Sequence, residues 1–397
     1  MTYEHRKISL ADEDTATLLH RAAVRLAQAA VPPAVAQAFM LACMTALLKP
    51  DGNVRGIATS TAFRRLVARC LACKHGPEME AACRPYQYAL STRAGTECVA
   101  HMFRAATDAD ARATALSVDG IGAYDHVLRS AMLGKLARLP KASEILPFVR
   151  LSYAQPSEYV WEDDEGTTHR VPQGEGGEQG DPLMPLLFAL AIHDALADVA
   201  ELLRPGEDVC AFLDDVYVLC KPERTREIFD MLRHALRNTA GIDFHLGKTR
   251  VWNRAGEVPS GIADLGPDVW APDGLVILGS PVGKEDFIAA EAAKRLANEC
   301  ELWDALKVVP NLQCAWQILA RCAVPRMSHT LRTLPPNLSV TYAALRDTGL
   351  WDTGLDLLSA AKLTPQERAE AWRIASLPAR LGGLGLRAAE RTARAAY

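Results

Sequence analysis

The chain has no long hydrophobic run, no paired clusters of cysteine and no excess of positive charge. Its most apolar stretch, 183–192, is too short to span a bilayer, so no membrane contact is expected. The polar start Met1-Thr2-Tyr3-Glu4-His5-Arg6-Lys7 contains no apolar h-region, and no signal peptide is expected. The 10 cysteines are scattered over 397 residues, the pattern of reduced thiols in an intracellular protein; a nuclear and a cytoplasmic location both stay open. Cys70 and Cys73, with His75 and Cys83 nearby, have a spacing that suits zinc. They lie in an apolar helical pattern with Leu66, Val67 and Leu71, and no second close pair follows, which argues for a plain helix. Internal repeats and low-complexity segments are absent, and no oligomeric state is implied.

The charge balance, 44 Lys and Arg against 48 Asp and Glu, weighs against a nucleic-acid binder, whose affinity comes largely from cations on phosphates. The count is global, and a basic cleft of Lys49, Arg55, Arg64, Arg65 and Arg69 can coexist with an acidic exterior. Arg65 and Arg69 share one side of a helical pattern over 61–74, where a solvated face and a template contact are both open readings.

What is present is a pair of carboxylates inside a strand-forming run, Cys210-Ala211-Phe212-Leu213-Asp214-Asp215-Val216-Tyr217-Val218-Leu219. Asp is a good turn former, so two solvated aspartates at a hairpin tip are one reading. The other is a metal site, because buried carboxylates need a partner. Asp163-Asp164 lacks apolar arms and reads as an exposed turn. A second short strand, Ala113-Thr114-Ala115-Leu116-Ser117-Val118, runs into a lone Asp119. If it pairs with the 210–219 hairpin, three carboxylates meet at one edge. Such a set suits Mg²⁺ or Mn²⁺, without the His and Cys that zinc prefers. Two such ions can clamp the attacking and leaving oxygens of a phosphoryl transfer.

These segments belong to an ordered series. Leu48-Lys49-Pro50-Asp51-Gly52-Asn53-Val54-Arg55-Gly56-Ile57-Ala58 looks like a fingers hairpin. Ser117-Val118-Asp119 through Tyr124 looks like motif A, and Gly177-Glu178-Gln179-Gly180-Asp181-Pro182-Leu183-Met184-Pro185 like motif B with Met184 in place of Ser. Phe212-Leu213-Asp214-Asp215 looks like motif C, Gly241-Ile242-Asp243-Phe244-His245-Leu246-Gly247-Lys248-Thr249 like motif D, and Leu275-Val276-Ile277-Leu278-Gly279-Ser280-Pro281 like motif E. With all six in order over 45–283, the chain resembles a reverse transcriptase of the non-LTR retrotransposon type.

The resemblance implies an α+β right-hand polymerase with fingers, an antiparallel-sheet palm and an all-α thumb. The expected divisions are an N-terminal helical extension over 1–37, fingers over 38–105, and a palm over 106–283 with a fingers insertion at about 139–175. A helical thumb and C-terminal region over 284–397 would complete it, cut from a longer reading frame. The implied function is RNA-directed DNA synthesis, with an RNA template, a DNA primer, dNTPs and two Mg²⁺ (or Mn²⁺) ions. Asp119, Asp214 and Asp215 would hold the metal, Lys49 and Arg55 the triphosphate, and Gln179 and Gly180 the nucleotide pocket. Tyr124 would be a ring that blocks a ribose 2′-OH, against an ordinary half-buried tyrosine. Lys248 would donate a proton to the leaving pyrophosphate, against a solvated lysine. Asp181 reads as part of the motif B loop or as a plain helix N-cap. Within these residues no endonuclease is expected before the fingers and no RNase H domain after the thumb. The alternative function is a catalytically inactive nucleic-acid-binding remnant of a reverse transcriptase.

Local patterns add helices over 13–31, about 34–45, 61–74, 91–106 and from Pro185 to Leu203, a hairpin within 150–172, and helices throughout from Lys284. A three-residue loop at Asp51-Gly52-Asn53 would set Lys49 opposite Arg55 on one face. Leu381-Gly382-Gly383-Leu384-Gly385-Leu386 is turn-rich.

Overall fold

The computed structural model describes residues 7, 8, 10–49, 52–360 and 362–397. Residues 1–6, 9, 50, 51 and 361 lie outside the described residues. In chain order the elements are α1 (Glu13–Ala27), α2 (Pro33–Met40), β1 (Ala42–Leu48), β2 (Val54–Ser60), α3 (Ala62–Ala82), α4 (Gly95–Ala109), β3 (Thr114–Asp119), α5 (Ala123–His126), α6 (Arg129–Leu136) and α7 (Leu146–Tyr153). There follow β4 (Ser157–Glu162), β5 (Thr168–Gln173), α8 (Met184–Ala200), β6 (Asp208–Phe212), β7 (Asp215–Cys220), α9 (Thr225–Ala240) and β8 (Arg250–Asn253). The last are β9 (Gly274–Ile277), β10 (Ser280–Gly283), α10 (Glu285–Lys307), α11 (Leu312–Ile318), α12 (Met327–Thr333), α13 (Pro336–Leu357), α14 (Pro365–Ala375) and α15 (Ala389–Ala396). The fold is mixed α and β, and its sheets are built mainly from antiparallel pairs.

The chain divides into two units, one of residues 1–95, 116–250 and 259–269, the other of 96–115, 251–258 and 270–397. The core of the first is α8. Its run Met184-Pro185-Leu186-Leu187-Phe188-Ala189-Leu190-Ala191-Ile192 has no polar face and is buried all round, as such helices are in a core. It packs on α3, α6, α9 and β6. Each fully buried Leu, Ile or Phe contributes roughly 1.5–3 kcal/mol of burial free energy, so this helix anchors everything around it. Strands β6 and β7 pair antiparallel, with Val216 through Cys220 buried without alternation because both faces are covered. β7 in turn neighbours β3.

A second sheet has the order β2-β1-β4-β5, with β1 and β4 parallel and the other pairs antiparallel. The expected helix over 34–45 stops at Met40, and β1 starts at Ala42, because pairing with Ser60 and Tyr159 outweighs local helix preference. Leu48 pairs with Val54, and the Lys49 N–H donates to the Asn53 carbonyl at 2.7 Å. Arg55 therefore faces Leu47, and Lys49 is its diagonal neighbour on the same face, not its direct partner. The loop falls one residue earlier than the sequence reading placed it.

Helix α3 begins after its N-cap Thr61, whose Oγ1 accepts from the Arg64 N–H, and continues past the expected end at 74 through Pro77 to Ala82. Arg65 and Arg69 are exposed on it and Arg64 is fully buried, so Arg64 is no cleft cation. All ten cysteines are free thiols, Cys70 and Cys73 included. The 157–173 hairpin turns at Asp163, whose Oδ1 accepts from the N–H groups of Glu165 and Thr167.

In the second unit, β9 and β10 form a hairpin whose turn residues Leu278 and Gly279 have φ of 47° and 80°, and the regular elements from Glu285 onward are helices joined by short loops. Its core holds a buried Arg346, bound to Glu299 Oε2 at 2.9 Å and to the Ala323 carbonyl at 2.8 Å. The glycine-rich 381–386 turn closes the end of α14, with the Leu384 and Leu386 N–H groups both donating to the Ala375 carbonyl. No helix among the described residues is long and apolar enough to cross a membrane.

One glycine ties the first unit together. Gly176 has φ of 73°, and a Cβ there would lie 2.3 Å from the Asp125 carbonyl oxygen and 2.6 Å from that of Tyr124. Both obstacles are backbone and cannot rotate away. Gly176→Ala should therefore cost about 3 kcal/mol or more. Thermal unfolding should show a large drop in Tm; an unchanged Tm would mean this loop is free to move.

Candidate active site

Asp119 ends β3 because the chain must turn there. Gly120 follows, where a Cβ would sit 2.9 Å from Ala123 Cβ, and Gly122 takes φ of 49° to open α5. The motif D segment fixes this edge from the side: the His245 N–H donates to the Asp119 carbonyl and the Ile121 N–H to the Asp243 carbonyl, both at 2.8 Å. Lys248 projects from the turn after His245, and its Nζ meets Asp119 Oδ2 at 2.5 Å.

Leu213 and Asp214 form the two-residue turn of the β6–β7 hairpin, since Phe212 pairs with Asp215. Leu213 has φ of 56°, an unusual value for a side chain with a Cβ. It is held there by Gln87, whose Oε1 accepts from the Leu213 N–H at 2.7 Å. The flanking residues Tyr86 and Tyr88 bond to Ala211 on the outer side of β6. The strained turn is thus imposed by a neighbour, as such conformations at functional sites usually are.

The two carboxylates of the hairpin tip are shifted by burial and by their charged neighbours. Burial pushes the Asp214 carboxyl above its ordinary value, and the Asp119 charge pushes it further; Arg55 and Lys248 oppose the rise. Burial pushes Asp215 up to about 6, helped by the charges of Asp214 and Asp119 and opposed by Lys248. Asp214 also raises Tyr124 above the usual phenol range, after burial as the larger cause. The Tyr124 ring stacks on Phe188 at 4.7 Å with planes 5° apart, so its position is set by the core helix α8.

From the hairpin of β1 and β2, Arg55 Nε donates to Gln179 Oε1 at 3.1 Å, and Gln179 in turn bonds the Asp125 carboxylate. The Gly180 N–H donates to the Ala58 carbonyl at 3.2 Å; a Cβ there would come 3.0 Å from that oxygen. Asp181 is no N-cap of α8. It is buried, its Oδ2 accepts from the Tyr153 hydroxyl at 2.7 Å, and its Oδ1 accepts from the Leu183 N–H at 2.9 Å.

One unit therefore brings together Asp119, Asp214, Asp215, Lys248, Arg55, Gln179 and Tyr124. Lys49 stands exposed where β1 ends. The sequence reading missed Phe188, Gln87 and the buried partners of motif B. Phe188 was visible only as one apolar residue among many, and Gln87 lies far from every motif.

The donor set is all oxygen and fits Mg²⁺ or Mn²⁺. Among the described residues no three His, Cys, Asp or Glu side chains are gathered tightly enough to cage an ion alone. That is the usual state of a Mg²⁺ site, which takes one or two carboxylates and completes its shell with water and substrate phosphates.

Residues 47–281 match the family model for reverse transcriptase (RNA-dependent DNA polymerase). The chain belongs to the reverse transcriptase family. It is similar, at 24% identity over 360 residues, to the retrotransposable element SLACS 132 kDa protein of Trypanosoma brucei gambiense. That match covers 89% of this chain and 29% of the relative, so this reverse transcriptase domain spans less than a third of that protein's length. Among solved structures, apo telomerase from Candida tropicalis is similar at a TM-score of 0.51, with 11% identity, over 88% of this chain and 65% of that one. The likeness is one of fold.

The crowded carboxylates have a testable cost. In the metal-free protein Asp215 keeps its proton to about pH 6, above its ordinary 3.8, so its ionisation opposes folding. Its contribution to stability is full below pH 4 and is lost as pH rises through 6. Asp215→Asn should remove that slope and raise stability above pH 7 by about 1 kcal/mol, after allowing for solvent screening. Thermal unfolding in EDTA across pH 4–8 measures it; equal slopes for both proteins would contradict the coupling.

Proposed function

We propose that this domain is an RNA-directed DNA polymerase of a retroelement, adding dNTPs to a primer 3′-OH on an RNA template. The observation that carries the reading is the gathering of three carboxylates at neighbouring strand ends: Asp119 closes β3, Asp214 and Asp215 stand at the tip of the β6–β7 hairpin beside it, and Lys248 bonds Asp119. It stands in a chain whose residues 47–281 match the reverse transcriptase family. The α+β fold supports a right-hand division, with fingers over 38–105 and about 139–175, a palm over 106–283 and a helical thumb from 284.

In this reading Asp119 and Asp214 hold divalent cations, with Asp215 beside them. Bound there, two such ions supply charge neutralisation at the attacking and leaving oxygens of an in-line displacement. The chain's own side chains do the rest. Arg55 leaves Gln179 and takes the triphosphate by its fork of N–H donors, with Lys49 on the same face of the hairpin. Gly180 lets backbone approach the nucleotide closely. The primer 3′-oxygen then bonds to the α-phosphorus as the bond to pyrophosphate breaks, and most of the rate comes from positioning and fixed charge. Lys248 neutralises Asp119 until the substrate arrives and is then free to protonate the leaving pyrophosphate. Tyr124, clamped by Phe188, fills the space that a ribose 2′-OH would need.

Primer extension on a homopolymer RNA template with Mg²⁺ or Mn²⁺ tests the activity. The wild type should extend, and Asp119→Asn or Asp214→Asn should abolish extension while Tm holds or rises. Binding of an RNA–DNA hybrid without extension by the wild type would instead mark an inactive remnant.

Sugar choice tests the aromatic ring separately. Tyr124→Val should raise rNTP use relative to dNTP on the order of tenfold, since about 1.4 kcal/mol of lost discrimination gives that factor. An unchanged ratio would make Tyr124 a packing residue only.

A further inference from the structure

Beneath the Gln179-Gly180 loop lies a buried polar cluster that takes no direct part in the chemistry above. Tyr153 ends α7 and is 2% exposed. Its ring lies between two buried guanidinium groups, with Arg129 Cζ at 5.4 Å and Arg64 Cζ at 6.0 Å from the centroid. Its hydroxyl donates to Asp181 Oδ2 at 2.7 Å and accepts from the Glu178 N–H at 3.4 Å. Arg64 Nη1 donates to Glu178 Oε1 at 2.7 Å. Glu178 and Asp181 flank Gln179 and Gly180 on either side, and both are nearly fully buried. The two pocket residues are therefore a bridge between two anchored carboxylates.

The same cluster reaches the aromatic residue at the mouth of the pocket. Arg129 Nε donates to the Gly176 carbonyl at 2.8 Å, while its other nitrogens donate to the Gln155 carbonyl and to Ser157 Oγ. The Gly176 N–H donates to the Val127 carbonyl, and the Gly177 N–H to the Tyr124 carbonyl at 2.8 Å. A chain of fixed contacts thus runs from Tyr153 and Arg129 through Gly176 and Gly177 to the backbone of Tyr124.

We propose that Tyr153, Arg64 and Arg129 are positioning residues that set both the nucleotide affinity and the sugar selectivity of this site. The inference rests on the polymerase reading of the site. The two cations balance Glu178 and Asp181: Arg64 Nη1 bonds Glu178 and its Nη2 lies 3.7 Å from Asp181 Oδ2, while Arg64 Nε and Glu178 Oε2 have no hydrogen-bond partner among the described residues, so removing one further bond from this buried group is costly. Such a network fixes one geometry. It holds Gln179 towards Arg55 on one side and Tyr124 against Phe188 on the other. Arg64 is thereby assigned a role different from template contact.

The test uses the whole chain and three variants. Tyr153→Phe deletes only the hydroxyl. Glu178→Gln keeps a hydrogen-bond acceptor for Arg64 and removes the charge. Ile228→Val, in the core on α9, is a packing control. Single-nucleotide incorporation on an RNA–DNA hybrid should show the dNTP KM of Tyr153→Phe raised about fivefold to tenfold, the consequence of losing one buried hydrogen bond. The ratio of rNTP to dNTP use should rise at least about threefold, with hybrid binding unchanged. Glu178→Gln should move the same two quantities in the same direction, and Ile228→Val neither. Amide hydrogen exchange supplies a readout that needs no catalysis: the Gly176 and Gly177 N–H groups should exchange about tenfold faster or more in Tyr153→Phe. An inactive wild type would sink the polymerase reading, while accelerated exchange would still uphold the positioning role. Variants that lose only Tm, with KM, sugar ratio and Gly176 exchange matching the packing control, would overturn it.

Discussion

Uncompensated negative charge at the end of a buried sheet is the constraint on which the rest of the first unit depends. β7 is apolar on both faces, and β3 is nearly so, yet their ends carry Asp119, Asp214 and Asp215. Water reaches these groups only partly, so each ionised carboxylate raises the cost of the next. Asp215 shows the strain by holding its proton to about pH 6. Two cations relieve it from the protein side, Lys248 by a direct pair with Asp119 and Arg55 at longer range. The remaining deficit is the chemical reason the site suits divalent ions and polyphosphates.

Holding such a site requires rigid supports, and they are drawn from distant parts of the sequence. Gln87 keeps Leu213 in its strained turn. Phe188, on the core helix, sets the plane of Tyr124. A second group of charges, Arg64 and Arg129 with Glu178 and Asp181, lies buried under motif B and balances internally. The contrast is informative. One cluster pairs two buried cations with two buried carboxylates; the other is net negative and partly open to water, as a site awaiting a ligand should be.

The carboxylate motifs were legible because their signals are local. Two adjacent aspartates between apolar arms announce a hairpin tip, and the glycines before Tyr124 announce a tight turn; the structure has both. The supports were not legible, because a partner far along the chain leaves no periodic signal. Arg64 sits among Arg65 and Arg69 and read as one more cleft cation, until burial against Glu178 separated it from them. Asp181 read equally as part of the motif B loop or as a cap, because its buried partner Tyr153 lies far along the chain. The helix expected over 34–45 failed at its end because strand pairing with Ser60 and Tyr159 decides residues 42–45. The fingers loop sits one residue earlier than expected, which moves the partner of Arg55 by two residues, from Lys49 to Leu47, since loop position depends on backbone geometry that composition does not encode.

The central claim is that Asp119, Asp214 and Asp215 form an open divalent-cation site completed by nucleotide. Electron paramagnetic resonance of Mn²⁺ titrated into the full chain with an RNA–DNA hybrid and a dNTP tests it most directly. The account predicts about two ions bound per chain with nucleotide present, weaker binding without it, and loss of binding in Asp214→Asn. Binding that is absent in the ternary complex, or that is the same in Asp214→Asn as in the wild type, would contradict it.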